Sequence, residues 1–290
     1  MLLGVLLGLL TTLHCTSGLA LAVQDDAGHP IVLAAPARRV ISLAPHATEL
    51  LFDVGAGETV VGVSDFSDFP AAAQSLPRIG GAQGLDLERI AGLNPDLVVA
   101  WTSGNSARAL EALERLGIAV YRSDPESLEA VAMNLERLGI LTGHAQTGTD
   151  VARAFRARIA ALGARYSRLT PVKVFYQVWD KPLMTIGGAH LISDVIRLCG
   201  GRNIFASLKS PAPTVDAESV ISSNPQVIVV ASDEQRGPAE LARWEEWPGL
   251  AAIRHRDLVI LDPALITRGT PRIADGAERL CTAIDVARHR

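Results

Sequence analysis

Short apolar runs alternate with amphipathic stretches along the chain after Arg39. The runs are rich in Val, Ile and Leu and have the continuous apolar character of strands buried on both faces of a sheet. The stretches between them repeat apolar residues at steps of three and four, the period of an α-helix. Strands are predicted at residues 40–44, 60–63, 96–100, 118–121, 172–178, 227–231 and 258–261. Helices are predicted at residues 46–54, 106–116, 128–141, 191–198, 239–244 and 273–287. This alternation predicts an α/β fold with parallel sheets covered by helices.

The segment between residues 147 and 169 interrupts the alternation with one long amphipathic helix. Its apolar stripe includes Val151, Phe155 and Ile159, and its arginines lie mostly on the other side. At 1.5 Å per residue the helix is about 34 Å long, and Pro171 is expected to end it. We therefore expect two similar α/β lobes, residues 38–145 and 171–290, joined by a rigid linking helix over residues 146–170, with a ligand cleft between the lobes.

An internal repeat supports two equivalent lobes. Four residues recur at a constant offset of 130 positions: Asp86, Glu88, Asn94 and Pro95 become Asp216, Glu218, Asn224 and Pro225. In each copy an aspartate at a helix N-cap is followed by a glutamate in the first turn. Each glutamate alone would favour the helix dipole. As an equivalent pair, they could also present two carboxylates on the same face of the molecule.

The first 22 residues predict a cleaved secretory signal. They contain no Asp, Glu, Lys or Arg, and the apolar run through Leu13 is too short to span a bilayer. Small residues at Ala20 and Ala22 precede a polar segment, as at a cleavage site; a buried N-terminal helix is the alternative. Cys15 lies in a poor lipoprotein box, so lipidation is possible but not favoured. No later segment is apolar enough to cross a membrane, so a protein of the periplasm is expected.

Removal of the signal leaves two cysteines, Cys199 and Cys281. Two thiols in an exported protein are expected to form one disulfide. Two separately buried thiols are the alternative.

Charge and motifs exclude several function classes. With 27 Lys and Arg against 31 Asp and Glu, the net charge of −4 gives no basic excess for nucleic acid. No phosphate loop, nucleophile elbow or histidine pair at metal-ligand spacing occurs, so neither an enzyme nor a metal site is predicted. An exported α/β hydrolase remains the rival class and would need a nucleophile–base pair across the cleft. His46 opens a helix after the first strand, where α/β sheets bind ligands, and is either a helix-start residue or a ligand contact.

Large aromatic side chains stand at the ends of predicted strands. Phe66, Trp101 and Trp179 lie beside loops rich in Gly, Ser and Asp, in a chain with only 4% aromatic residues. Core packing explains any single one of them. Together they predict a ligand cleft between the lobes.

The residues at 40–50, 61–64, 84–90, 94–101, 198–205 and 268–273 resemble periplasmic substrate-binding proteins of ABC importers with a rigid helical backbone. The resemblance covers residues 39–290 and is greatest to the members that bind vitamin B12 (cobalamin). It implies a non-catalytic monomer, without a cofactor, that captures a corrinoid and delivers it to a permease dimer with its ATPase subunits.

The resemblance also implies roles for individual residues. Phe66 and Trp101 would contact the corrin, and a loop of the second lobe would close on it: Ala264, Leu265, Ile266, Thr267 and Arg268. Glu88 and Glu218 match carboxylates that dock on permease arginines, and Cys199 and Cys281 match a family disulfide. Ala82 and Ala212 stand where the cobalamin-binding members have tryptophans, and Leu265 and Ile266 replace aromatics. The alternative ligand is therefore haem or a ferric siderophore, with His46 as an iron ligand.

Overall fold

A computed structural model describes residues 20–81 and 84–290. Residues 1–19, which hold most of the predicted signal and Cys15, lie outside the described residues, as does Ala82. Among the described residues, the first lobe contains eight strands: β1 Leu21–Gln24, β2 Pro30–Leu33, β3 Val40–Ser42, β4 Val60–Val63, β5 Gly80–Gly81, β6 Gly84–Leu85, β7 Leu97–Ala100 and β8 Ala119–Arg122. Its helices are α1 Pro45–Asp53, α2 Leu87–Gly92, α3 Ala107–Arg115 and α4 Leu128–Leu141, with 3-10 turns at Gly57–Thr59 and Ala71–Ser75.

A single long helix, α5 Ala145–Tyr166, leads from the first lobe into the second. The second lobe contains four strands: β9 Val172–Gln177, β10 Gly201–Asn203, β11 Val227–Ala231 and β12 Leu258–Leu261. Its helices are α6 Leu191–Leu198, α7 Ala217–Ser223, α8 Gly237–Ala242, α9 Ala251–His255, α10 Pro263–Ile266 and α11 Ile273–Arg288, with a 3-10 turn at Arg243–Glu246.

Both lobes are built on a four-stranded parallel sheet with the same strand order. The order is β4-β3-β7-β8 in the first lobe and β10-β9-β11-β12 in the second. In each sheet, the strand that comes first in the chain (β3 or β9) lies between the second and third strands of that sheet (β4 and β7, or β10 and β11). The predicted α/β fold with two similar lobes is confirmed.

The sequence repeat corresponds to a repeated local structure. Asp86 and Asp216 are the N-caps of α2 and α7, where each carboxylate accepts the backbone N–H three residues on. Asn94 and Asn224 both adopt a left-handed conformation with φ of 46°. Asparagine tolerates this conformation better than other residues with a side chain, which explains why it recurs before β7 and before β11.

The linking helix is packed tightly against α4, the last helix of the first lobe. Gly139 of α4 faces Gly148 of α5, and a methyl group on Gly148 would lie 2.5 Å from the Leu135 carbonyl oxygen. Only glycine allows the two backbones to approach so closely. A continuous apolar core then runs from the inner face of the first sheet through α4 and α5 to the second sheet.

The N-terminal hairpin β1–β2 and the short edge strand β10 were not predicted. The hairpin pairs antiparallel from Leu21↔Leu33 to Gln24↔Pro30. It includes Leu21 and Ala22, which are the last two residues of the predicted signal. Strand β10 consists of Gly201, Arg202 and Asn203, which carry no apolar pattern from which a strand could be inferred.

Cys199 at the end of α6 and Cys281 in α11 form a disulfide, as predicted. Both cysteines are fully buried. The bond closes a loop of 82 residues within the second lobe.

We predict that the double substitution of Cys199→Ser with Cys281→Ser lowers the free energy of unfolding by about 4 kcal/mol, because a long loop regains its entropy in the unfolded chain. Urea denaturation measures the change. Alkylation of the unfolded, unreduced mature protein should label neither cysteine; labelling of both would contradict the bond.

Candidate functional site

A cleft of about 540 Å³ lies between the lobes, next to the carboxyl ends of their strands. This is the edge at which parallel α/β sheets bind ligands. The first lobe supplies Pro45, His46, Trp101, Ser103, Asp124, Pro125 and Glu126, and the second lobe supplies Ala189, His190, Leu191, Pro211, Ala212, Thr267, Arg268 and Gly269. Both lobes therefore contribute to one site, as predicted for a ligand held between them.

Trp101 is fixed on the first-lobe wall by the carboxylate of Asp124. Trp101 follows β7 and Asp124 follows the neighbouring strand β8. The indole Nε1–H donates to Asp124 Oδ1 at 3.0 Å, and the Ser103 amide donates to Asp124 Oδ2 at 2.9 Å. Trp101 as a whole residue remains 39% exposed. Trp101 thus offers a flat apolar face with a fixed orientation.

Two histidines, one from each lobe, line the same cleft. Burial lowers the pKa of His46 to about 4, and its Nε2 lies 3.2 Å from the Ser123 hydroxyl. Its ring also packs edge-to-face on Trp101, with 6.0 Å between centroids. Burial also lowers the pKa of His190, whose Nδ1 accepts the backbone N–H of Ile192 at 3.1 Å. Both imidazoles are therefore neutral at pH 7, and the proton of His190 is on Nε2.

At one end of the cleft a buried carboxylate of the first lobe binds three groups of the second lobe. Glu49 in α1 is 1% exposed. Its Oε1 accepts from Arg268 at 2.7 Å and from Arg272 at 3.2 Å, and its Oε2 accepts from the Thr270 hydroxyl at 3.0 Å. A buried carboxylate is stable only with such partners. Glu49 therefore joins the lobes through charge-assisted hydrogen bonds.

Further groups extend this bridge. Arg268 also donates to Asp68 Oδ1 at 2.7 Å, which holds the pKa of Asp68 below its usual range. The Arg272 guanidinium lies over the Phe69 ring, 4.0 Å from its centroid. Burial and the neighbouring Glu49 raise the pKa of Asp53, one turn along α1, to about 7. The bridge therefore joins acidic groups of the first lobe to two arginines of the second.

The structure divides the predicted ligand loop into two parts. Asp262 caps the short helix α10, and this turn directs Leu265 and Ile266 into the core of the second lobe. Ala264 lies on the same turn, outside the cleft wall. Thr267 and Arg268 follow the helix and line the cleft. The apolar character of Leu265 and Ile266 thus serves core packing.

The other two predicted aromatics are more exposed than Trp101. Phe66 adopts a left-handed backbone with φ of 62°, the residue is 84% exposed, and its carbonyl oxygen accepts from Arg268 at 3.4 Å. Trp179 is 62% exposed and lines a separate depression of about 300 Å³ with Asp180, Lys181, Arg236 and Glu240. Of the three, Trp101 lines the cleft, Phe66 lies at its edge against Arg268, and Trp179 lines the separate depression.

Sequence reasoning missed Glu49, Asp124 and His190. Asp124 follows strand β8 at its carboxyl end, so the rule that selected His46 and Trp101 would also have selected it. Glu49 has no such signal, because its partners lie more than 200 residues away in the chain.

Two further properties of the described residues concern metal binding and membrane insertion. Residues 20–81 and 84–290 contain no group of three or more His, Cys, Asp or Glu side chains arranged to hold a metal ion. Among the same residues no helix combines the length and apolarity needed to span a membrane.

A family model described as periplasmic binding protein matches residues 40–265. The chain belongs to the periplasmic binding protein family. Members of this family are binding proteins and not enzymes, in agreement with the predicted non-catalytic function.

Three relatives of this periplasmic binding protein extend over most of its length. It is 38% identical over 253 residues to the vitamin B12-binding protein of Vibrio cholerae serotype O1, which covers 87% of this chain and 91% of that protein. The crystal structure of the periplasmic vitamin B12 binding protein BtuF of Vibrio cholerae matches with a TM-score of 0.80 at 37% identity, covering 88% of this chain and 99% of that chain. The apo periplasmic heme-binding protein RhuT of Roseiflexus matches with a TM-score of 0.77 at 26% identity, covering 87% and 99%.

We predict that Glu49→Ala destabilises the protein by about 3–5 kcal/mol, because the Arg272 guanidinium loses its carboxylate and the Arg268 guanidinium keeps only Asp68. Urea denaturation measures the difference, with Glu58→Ala, an exposed glutamate of the same lobe, as the control. Equal effects of the two substitutions would contradict the bridging role of Glu49.

Proposed function

We propose that the protein captures a corrinoid, vitamin B12 or a close relative, in the inter-lobe cleft and delivers it to the permease of an ABC importer. The identity to vitamin B12-binding relatives over most of the chain supports this ligand class. The observation that carries the proposal is the cleft wall itself, which combines the fixed ring of Trp101 with neutral hydrogen-bonding groups.

The charge of the cleft favours a neutral ligand over an anionic one. Arg268 is the only arginine or lysine among the described lining residues, and Glu49 and Asp68 already bind it. Asp124 and Glu126 add negative charge to the wall. Haem carries two propionate carboxylates, which would meet no unpaired cation there, whereas the amide groups around a corrin ring are uncharged.

Neutral imidazoles suit the amide rim of a corrinoid. The His190 Nε2–H is a donor that its own helix does not use, because the helix is capped through Nδ1. Backbone groups near Gly269 would add further polar contacts, and the Thr267 hydroxyl, which donates to the Pro263 carbonyl, would accept from the ligand. The apolar face would stack on Trp101. Arg268 would contact the rim of the ligand while it remains bound to Glu49 and Asp68.

Haem is the second candidate, because one relative of similar fold is a heme-binding protein and His46 offers a neutral imidazole. The imidazole Nε2 of His46 lies within hydrogen-bond distance of Ser123, so binding iron through that atom would require the contact to break. The loss of this hydrogen bond and the negative charge of Asp124 and Glu126 make haem the second candidate.

The proposal includes export to the periplasm as a monomer. A signal over residues 1–22 would remove Leu21 and Ala22 from β1 but leave Val23↔Ile31 and Gln24↔Pro30 of the hairpin. Retention of the complete hairpin would require cleavage before Leu21.

We predict that the mature protein binds cobalamin or cobinamide more tightly than haem in isothermal titration. Trp101→Ala should weaken binding of the preferred ligand about 5- to 150-fold, because about 1–3 kcal/mol of ring contact is lost. Trp247→Phe, on the far side of the second lobe, is the control. An unchanged dissociation constant for Trp101→Ala, or tighter binding of haem, would contradict the proposed site.

Delivery is proposed to depend on Glu88 and Glu218. Each is exposed in the first turn of its helix, behind a capping aspartate, and neither takes part in an ion pair among the described residues. Because the two glutamates occupy equivalent places in the repeated lobes, a permease of two subunits could bind one lobe with each subunit. Charge-assisted pairs with arginine would give such docking its geometry.

We predict that Glu88→Ala with Glu218→Ala leaves ligand affinity and melting temperature nearly unchanged but removes most binding to the permease and most transport. Glu58→Ala with Glu245→Ala, which also removes one exposed glutamate per lobe, should transport normally. If the protein with Glu88→Ala and Glu218→Ala unfolds easily and still docks, these two glutamates only stabilise the first turns of their helices.

A further inference from the structure

The N-terminal hairpin β1–β2 precedes residue 40, where the match to the family model begins. Its turn nevertheless contacts the carboxyl end of β8, directly behind the cleft. The Asp26 amide donates to the Arg122 carbonyl oxygen at 3.0 Å, which joins the turn to the last residue of that strand. The hairpin is therefore attached to the strand from which Asp124 follows.

The side chain of Asp26 holds the backbone of Asp124 in place. Asp26 Oδ2 accepts the Asp124 N–H at 2.8 Å and the Asn134 amide at 2.8 Å, and Oδ1 accepts from Arg137 at 2.8 Å. The Asp26 side chain is only 10% exposed. A buried, charged acceptor with three donors is rigid, so the Asp124 backbone has little freedom.

Asp124 in turn orients Trp101. Its two carboxylate oxygens accept from the Trp101 indole and from the backbone and hydroxyl of Ser103. The chain of contacts thus runs from the hairpin turn, through one backbone amide and one carboxylate, to the aromatic ring that lines the cleft. A displaced Asp124 backbone would move the acceptor that sets the plane of the indole.

We propose that Asp26 is a positioning residue for ligand binding: through Asp124, the N-terminal hairpin sets the orientation of Trp101 in the cleft. The inference rests on the proposed function for its affinity readout alone. The orientation of Trp101 can be followed without any ligand.

The test compares Asp26→Ala with Asp26→Asn and Asp96→Ala in ¹⁵N-labelled protein. The chain has four tryptophans, so its indole N–H spectrum has four resonances, and Trp101→Phe identifies the one from Trp101. Asparagine keeps one side-chain oxygen for the Asp124 amide but loses the charge toward Arg137. Asp96 is the matched control, because its carboxylate, like that of Asp26, accepts from the backbone of the first lobe. Its donors are the N–H groups of Arg38 and Arg39.

We expect Asp26→Ala to shift the Trp101 resonance, leave the other three in place and weaken cobalamin binding by about fivefold or more. Asp26→Asn should keep the Trp101 resonance and bind within about twofold of the parent protein. Asp96→Ala should lower the melting temperature without moving the resonance. If Asp26→Ala does not fold, Asp26→Ser, whose hydroxyl is too short to reach the Asp124 amide, replaces it.

An unmoved Trp101 resonance in Asp26→Ala would overturn the inference, even if stability fell. An equal shift in Asp96→Ala would also overturn it. A shifted resonance in a protein that does not bind cobalamin would support the positioning by Asp26 and contradict the proposed ligand, so the two failures are distinguishable.

Discussion

The buried carboxylate of Glu49 is the contact on which the geometry of the cleft depends. The lobes share a core through α4 and α5, but that core lies on the side of the linking helix. At the end of the cleft, Glu49 binds Arg268, Arg272 and Thr270 across the lobe boundary. A carboxylate removed from water must keep such partners, so separation of the lobes at this point would expose an unpaired charge cluster. The width of the cleft is therefore fixed from both sides.

This rigidity explains how a site with few specific groups can select a ligand. Groups that are already oriented lose little entropy on binding. Trp101 is held by Asp124, His190 is held by its own helix N-terminus, and Arg268 is held by Glu49 and Asp68. A large, flat, uncharged ligand gains contact with the ring and the neutral donors without rearrangement of the wall. An anionic ligand would have to take Arg268 from its two carboxylates.

The alternation of apolar runs was sufficient to predict the two lobes and the linking helix, because buried parallel strands and long helices have strong local patterns. The repeat further predicted Asp86 and Asp216 as N-caps, since capping is decided within three residues. Glu49 could not be predicted, because its environment depends on residues that only the tertiary fold brings near. Leu265 and Ile266 were assigned to a ligand loop by resemblance, yet the Asp262 cap turns them into the core.

Arg268 connects ligand binding with the position of the lobes. It lines the cleft and is also the arginine closest to Glu49, at 2.7 Å. Any force that separates the lobes must break this contact, and the same movement withdraws Arg268, Thr267 and Gly269 from the ligand. A partner that binds one lobe with each of its subunits would be placed to apply such a force. On the proposed function, any opening of the cleft would therefore require the contact between Glu49 and Arg268 to break.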